Sequence, residues 1–393
     1  MTVQTQMSVD AAAPASADER ARQRFISKIR RKVLVDLGGD MKKAYLEDVN
    51  PAALRKTGAL LDDGIAVRDA MEETPIYKFY SSSRYKVQEM VWESVRPQVE
   101  RNLDTLIGLA REAESECGGS LRLDPTLAVP RYVSELDVHL MPGCFHNEYQ
   151  PDDVAQGAIY TYGIGVFYGG LPQMRKGSGP AATIAAYIQA AWPDLSPERI
   201  LDLGCTTGDG TFPYTHAFPA AEVHGIDVGA PMLRYGHARA AAAGIPIHFS
   251  QQNAEKTDFP DNHFDIITSS FFFHEIPVKS TREILKECHR ILKPGGLMIH
   301  FELPPRSAVD PYLDFYIDWD AYHNNEPYYS NFRRQSLADL CVEAGFAPDN
   351  YVQRQLPNLG TVPDEEFATV ARGEVTIPVV LNGATWFTFG ARK

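Results

Sequence analysis

Residues 200–210 read Ile-Leu-Asp-Leu-Gly-Cys-Thr-Thr-Gly-Asp-Gly, an apolar run passing straight into a turn of small residues. In open α/β sheets a ligand sits at the carboxyl ends of the strands, near the point where strand order reverses. Gly204 and Gly208 let the backbone approach a bound molecule without a Cβ in the way. Asp202 ends the run with an acceptor-only carboxylate. A dinucleotide fingerprint requires G-x-G-x-x-G. Counted from Gly204, its second and third glycine positions hold Thr206 and Asp209, so it fails twice. An acid at Asp209 also opposes a pyrophosphate at the following helix start. The turn therefore suits a ligand without phosphates. The next run, Glu222–Asp227, ends in an acid about 20 residues on, spaced to bond both hydroxyls of a ribose. After the third run comes Asn253, whose side-chain amide can pair with an adenine amine.

These residues need a parallel sheet to hold them. Strands are expected at 200–203, 222–227, 247–250, 264–270 and 297–302, with helices at 231–243 and 281–292 between them. Ser280 and Glu283 have capping-box spacing at the start of the second helix. The turn Lys293-Pro294-Gly295-Gly296 closes that helix, 336–345 reads as the last helix, and 346–355 and 384–392 as closing strands. Strand–helix alternation of this kind predicts a parallel sheet covered on both faces.

The order of these motifs resembles the class I S-adenosylmethionine-dependent methyltransferases over residues 178–303. It is most similar to the branch that holds the quinone-biosynthesis and related small-molecule enzymes. The resemblance implies an α/β fold, a Rossmann-like sheet of seven strands whose last strand is antiparallel, and S-adenosylmethionine as cofactor. It implies that Asp202, Gly204 and Gly208 line the methionine part, that Asp227 takes the ribose, and that Asn253 and Ala254 meet the adenine edge. Ser269 or Ser270 would floor the sulfonium, and Cys205, Thr206, Val228, Met232 and Tyr160 complete the implied cofactor contacts. This sequence departs from the family pattern at Thr206, where a glycine is usual, and at Asn253, where an Asp is usual.

Methyl transfer from a sulfonium is an in-line displacement that depends on positioning and exclusion of water. A base is needed only where the accepting atom must lose a proton. His274, just past the fourth strand in Ser-Ser-Phe-Phe-Phe-His-Glu, is the candidate base or substrate orienter. Alternation puts His300 and Glu302 on one face of the fifth strand, with Glu302 a substrate contact. His323, in the insert after that strand, is the third catalytic candidate. The insert carries Tyr312, Phe315, Tyr316, Trp319, Tyr322, Tyr328, Tyr329 and Phe332 among several acids. Aromatics at that density shape an apolar cavity, or else pack the insert onto the N-terminal half. Asp318, Asp320, His323 and His146 have no metal-ligand spacing, so no metal is expected.

The acceptor is expected to be a small aromatic or lipophilic molecule, methylated on a hydroxyl oxygen or an activated carbon. Two alternatives stay open: a methyltransferase-like protein with a structural cofactor (a non-methylating enzyme or a scaffold), or a methyltransferase acting on protein or RNA. The 51 acidic and 38 basic side chains leave a net charge of −13 in 393 residues, which disfavours nucleic acid as a partner. Five scattered cysteines, none in a C-x-x-C pair, read as buried thiols of a reducing compartment. No apolar stretch is long enough to span a bilayer and the N-terminus lacks a secretory h-region, so a cytoplasmic protein is expected. Residues 1–20 are expected to lack structure. Residues 21–175 should form a mainly helical accessory domain that helps enclose the substrate. Residues 176–393 should form the cofactor domain, with an aromatic lid insert at 304–332.

Within the accessory part, Phe25 to Leu37 has helical spacing that Gly38-Gly39 should end, and Pro97 should kink a helix over 85–116. Lys28, Arg30, Arg31 and Lys32 read as a solvated face, or as an anionic or subunit contact, and a homodimer fits the latter. The Gly- and Tyr-rich stretch 156–171 reads as a connector or as a segment bent around a ligand.

Overall fold

The computed structural model describes residues 9–113, 118–169, 179–380 and 384–393. Eight strands among them make one sheet: β1 (Ser120–Arg122), β2 (Arg199–Leu203), β3 (Glu222–Asp227), β4 (Ile247–Gln251), β5 (Phe264–Ser270), β6 (Leu292–Glu302), β7 (Tyr351–Pro357) and β8 (Thr385–Arg392). Their order is β1-β4-β3-β2-β5-β6-β8-β7. Pairing is parallel from β1 through β6, and β8 enters antiparallel between β6 and β7. The final strand is thus antiparallel, as the resemblance implied. Order reverses at β2, between β3 and β5, and this opens a crevice at the carboxyl ends there.

Period-two alternation seals both faces. Ile200, Ile266, Leu297, Ile299 and Phe301 pack with residues of helices Pro180–Ala191 and Asp364–Ala371. Their neighbours Leu201, Leu203, Ile267 and Met298 pack with residues of helices Val278–Ile291 and Leu337–Glu343. The helix at 364–371 comes after the one expected to be last. Helix Val278–Ile291 also starts earlier than its capping-box spacing suggested. Pro277 is its N-cap, and Ser280 is buried inside it. Residues 293–296 belong to the long β6 rather than to a separate turn.

The eighth strand departs from the seven expected. β1 comes from the N-terminal half and pairs parallel with β4, Leu121 opposite Phe249. Three residues carry no periodicity to read. Gly119 permits the approach, since a Cβ there would lie 2.4 Å from the Ile247 carbonyl oxygen.

The rest of the N-terminal half is helical, but its boundaries differ from those expected. Residues 9–20 are structured: Val9, Ala12 and Ala13 are buried, and Ser16 and Glu19 form a capping box on helix Ala17–Lys32. Residues 1–8 lie outside the described residues, as do Cys117, Gly170, Leu171 and the expected boundary at 175. Helical backbone continues through Gly38-Gly39 to Thr57, with π-helical turns at Val33–Leu37 and Tyr45–Val49, and stops at left-handed Gly58. A Cβ on Gly38 would stand 3.2 Å from the Tyr80 hydroxyl, so close packing there outweighs the helix cost of glycine. Helix Pro75–Arg101 runs through Pro97 and gives way at Asn102. Residues 155–168 are helix, not a connector. Arg30 is buried over the Phe167 ring (3.4 Å to its centroid), whereas Lys28, Arg31 and Lys32 are exposed.

The insert after β6 is two helices, Pro311–His323 and Tyr329–Arg333. Tyr312, Phe315 and Trp319 are buried against Val33, Met41, Tyr45, Val67, Met71 and Tyr80 of the N-terminal half. Trp319 lies 4.3 Å from the Tyr80 ring and donates its indole N–H to Ser81 Oγ at 2.9 Å. Tyr312, Phe315 and Trp319 thus follow the packing reading, whereas Tyr329 lines the cavity described below.

Candidate active site

The turn after β2 is held by charge and by backbone shape. Gly204 has φ +64°, and a Cβ there would lie 2.5 Å from the Phe272 ring, so only glycine fits. Thr206 also lies in the left-handed region, at φ +47°. That conformation aims its N–H at Asp227 Oδ2, 3.0 Å away, while Gly229 N–H donates to Asp227 Oδ1 at 2.8 Å. Asp202 accepts from the Thr211 hydroxyl at 2.7 Å. Both acids are buried, and among the described residues neither has a Lys or Arg partner. Burial lifts the Asp202 carboxyl to about 7, with the Asp227 charge adding to it and the Thr211 bond opposing. Burial raises Asp227 too, against its backbone hydrogen bonds. Asp209, by contrast, is met by Arg239 at 2.9 Å, so its repulsion of a phosphate is blunted. The unpaired Asp202 and Asp227 are the stronger objection to one.

One cavity of about 660 Å³ opens over this turn. Asp202, Gly204, Cys205, Thr206, Asp227 and Val228 line it, with Asn253, Ala254, Ser270 and Tyr160 further around. Asn253 Oδ1 accepts the Glu255 N–H at 2.9 Å. The Ser270 hydroxyl is buried without a partner among the described residues. Gly208, Met232 and Ser269 do not reach the cavity. Gly208 shapes the turn at φ +84°, Met232 is fully buried, and Ser269 turns to His300 Nδ1 at 2.8 Å.

The catalytic candidates separate in the same way. His274 lines the cavity. Glu302 is fully buried beneath it and does not, contrary to the expected substrate contact. One Glu302 oxygen accepts from the N–H groups of Phe272 and Phe273 at 2.9 and 2.7 Å, and the other meets His274 Nδ1 at 2.5 Å. Glu302 therefore positions His274. His300 is walled in by Phe273 and Phe389, and burial alone pushes its pKa down to about 3. His323 packs on Trp319 at 5.0 Å and is not at the cavity; burial, with Arg84 nearby, lowers it to about 4.

The sequence reading missed the group next to His274. Glu275 Oε1 lies 3.6 Å from His274 Nε2 and 2.9 Å from His139 Nε2, and His139 Nδ1 lies 3.0 Å from Glu326 Oε1. Acid and imidazole thus alternate from Glu302 to Glu326 along the cavity wall. Burial works against charge on both rings. The flanking carboxylates outweigh it, taking His139 to about 10 and His274 well above its usual value. Both rings are therefore donors, a state in which neither has a lone pair with which to take a proton. Glu275 was legible by adjacency to His274. His139 and Glu326 carry no local pattern, and the fold alone brings them in. His139 and Leu140 are both left-handed, at φ +57° and +56°.

From the insert, Asp320, Asn324, Glu326 and Tyr329 reach the cavity. Buried Arg84 pairs with Asp320 at 2.6 Å and holds that acid below its usual range despite burial. The set Asp318, Asp320, His323 and His146 is not gathered: Asp318 is taken by Arg333 at 2.6 Å and by Ser330 at 2.9 Å. Cys144, Cys205, Cys288 and Cys341 are buried free thiols. No helix among the described residues is long and apolar enough to cross a membrane.

Residues 200–296 match the model of the methyltransferase domain family. A demethylmenaquinone methyltransferase of Thermus thermophilus is 37% identical over 112 residues, 28% of this chain and 50% of that protein. A ubiquinone/menaquinone biosynthesis C-methyltransferase UbiE of Shewanella frigidimarina is 31% identical over 183 residues, 42% of this chain and 71% of that protein. The chain spans about half the length of the first curated relatives it matches. Among solved structures, a Haemonchus contortus phosphoethanolamine N-methyltransferase is 17% identical, covering 53% of this chain and 51% of that one at a TM-score of 0.36. The chain belongs to the class I S-adenosylmethionine-dependent methyltransferases, on the side of the family that holds the ubiquinone and menaquinone biosynthesis enzymes.

Proposed function

We propose that this protein methylates a hydroxyl oxygen or activated carbon of a small aromatic or lipophilic acceptor. One observation carries the reading: a single cavity joins the Asp202–Asp227 turn to the imidazoles of His274 and His139. The turn fits a cationic nucleoside. Among the described residues, two buried carboxylates without basic partners and an unpartnered Ser270 hydroxyl call for a positive charge and hydroxyl donors. Asp202 would face the methionine part, Asp227 the ribose, and Asn253 with Ala254 the adenine. When bound, S-adenosylmethionine supplies an electrophilic methyl group on sulfur.

The chain's own residues do the rest. His274, held by Glu302 and charged, donates to an acceptor oxygen and favours its oxyanion form. An acceptor bound as its oxyanion, the hydroxyl proton having been given up to solvent, is the nucleophile for O-methylation, and on a ring it activates the neighbouring carbon. Tyr132, Phe167, Phe271 and Phe272 give the cavity its apolar walls. A relative named for C-methylation in ubiquinone and menaquinone biosynthesis, and another named a demethylmenaquinone methyltransferase, support a ring-bearing acceptor.

Incubation with S-adenosylmethionine and a panel of phenols, hydroxyquinones, terpenoids and amines tests the reading. S-adenosylhomocysteine should form with a hydroxylated ring, and His274→Ala should cut turnover by roughly 100-fold at saturating cofactor. Cofactor binding without product from any acceptor would overturn methyl transfer in favour of a structural cofactor.

A further inference from the structure

We infer that His139, Glu326 and the Asn324 amide form a divalent-cation site in the wall of the cavity, with Glu275 holding the far side of the His139 ring. One donor atom from each of His139, Glu275 and Glu326 lies within 4.8 Å of the other two. They come from the 138–140 turn, from the loop after β5 and from the insert, and all line the same hollow as Asn324.

Contacts around His139 Nδ1 point to a cation. Glu326 Oε1 lies 3.0 Å from that nitrogen, the Asn324 amide nitrogen lies 2.7 Å from it, and the amide also touches Glu326 Oε1. With Glu326 ionised, no placement of protons satisfies all three contacts. A protonated Nδ1 serves Glu326 but faces the N–H groups of Asn324. A bare Nδ1 serves Asn324 but turns its lone pair on a carboxylate. Turning the amide over sets oxygen against oxygen. A metal ion that displaces the Nδ1 proton to solvent removes the conflict, because the bared ring nitrogen, the carboxylate and the amide oxygen can all donate lone pairs to it.

Unused donors stand beside this cluster. Asn324 is 6% exposed and its Oδ1 has no partner among the described residues, and the same holds for buried Glu275 Oε2 and the Tyr329 hydroxyl. A carboxylate, an amide oxygen and one imidazole, with no thiolate and with open positions left for solvent or substrate oxygen, suit an ion of the Mn²⁺ or Mg²⁺ kind. His139 Nε2–H on Glu275 fixes the ring for ligation through Nδ1, as outer hydrogen bonds do for metal-binding imidazoles. Resting on the proposed methyl transfer, such an ion would coordinate the acceptor's oxygen beside His274 and stabilise its anion.

Full-length protein stripped with a chelator and titrated with Mn²⁺ alone tests the site, the free ion being read by electron paramagnetic resonance. One ion per chain should be retained, held roughly 100-fold more weakly in Glu326→Gln and His139→Gln. Calorimetry with S-adenosylhomocysteine identifies variants that stay folded, and Asn324→Ala replaces one that does not. Retention of no ion at about 1 mM Mn²⁺, the weak end of carboxylate cation sites, overturns the proposal. So does wild-type retention by the folded variants. Retention by a protein that binds no S-adenosyl ligand upholds the site and removes the methyl-transfer reading instead.

Discussion

Asp227 and Asp202 are buried acids of the same turn, and they make different demands on a ligand. Asp227 already accepts two backbone N–H groups, which fix its oxygens toward the cavity. Its remaining lone pairs are placed for two ribose hydroxyls. Each such charged hydrogen bond is worth roughly 1.5–3 kcal/mol. Asp227→Ala should therefore weaken S-adenosylmethionine binding by at least about 100-fold. Unchanged affinity in calorimetry would remove Asp227 from the ribose. Asp202 makes a pH prediction. Its pKa of about 7 means that it is increasingly protonated below neutrality. A cationic ligand binds the ionised form, so affinity should be level above pH 7 and fall about tenfold for each unit below it. Asp202→Asn should flatten that slope in calorimetry between pH 5.5 and 8, and a variant that keeps the slope would place its origin elsewhere.

At the scale of elements, legibility followed the length of the repeating pattern. β3 and β5 begin and end at their expected residues because alternation and a terminal acid or serine mark both ends. β1 was invisible because three residues make no pattern. The N-terminal segment misled in another way. Val9, Ala12 and Ala13 are small and scattered among polar residues, and only the cluster that holds Val95, Val99, Leu106, Ile107 and Tyr235 gives them burial. There Asp10 accepts from the Tyr235 hydroxyl and the Arg239 guanidinium, both at 3.0 Å. Ser16→Ala removes the cap of helix Ala17–Lys32 and should cost about 1 kcal/mol. Deleting residues 1–15 should lower the melting temperature further, because it adds loss of that burial. An unchanged melting curve would mean that the segment contributes nothing to stability. The acid–imidazole row was half legible. His274 and Glu275 are adjacent in sequence, whereas His139 and Glu326 meet them only through folding.

At the scale of the molecule, the cavity is built from four stretches: Gln88 to Tyr168, Gly179 to Ala182, Asp202 to Ile276, and Leu303 to Tyr329. The N-terminal layer is tied to the insert by the Tyr80–Trp319 contact and by the Arg84–Asp320 pair. A wall shared in this way couples the parts energetically. Calorimetric unfolding should give one transition, and saturating S-adenosylmethionine should move all of it upward. Two transitions, with only one responding to ligand, would show that the helical layer unfolds independently.

Strand β1 has a consequence for biosynthesis. Ser120 and its neighbour His248 are 128 residues apart in the chain. At ribosomal speeds of about 5–20 residues per second, the emerging N-terminal half waits roughly 6–25 s for the edge it must join. Meanwhile its unpaired amides and greasy helix faces are open to other nascent chains, so yield in cells should depend on holdase chaperones and on slow, cool expression.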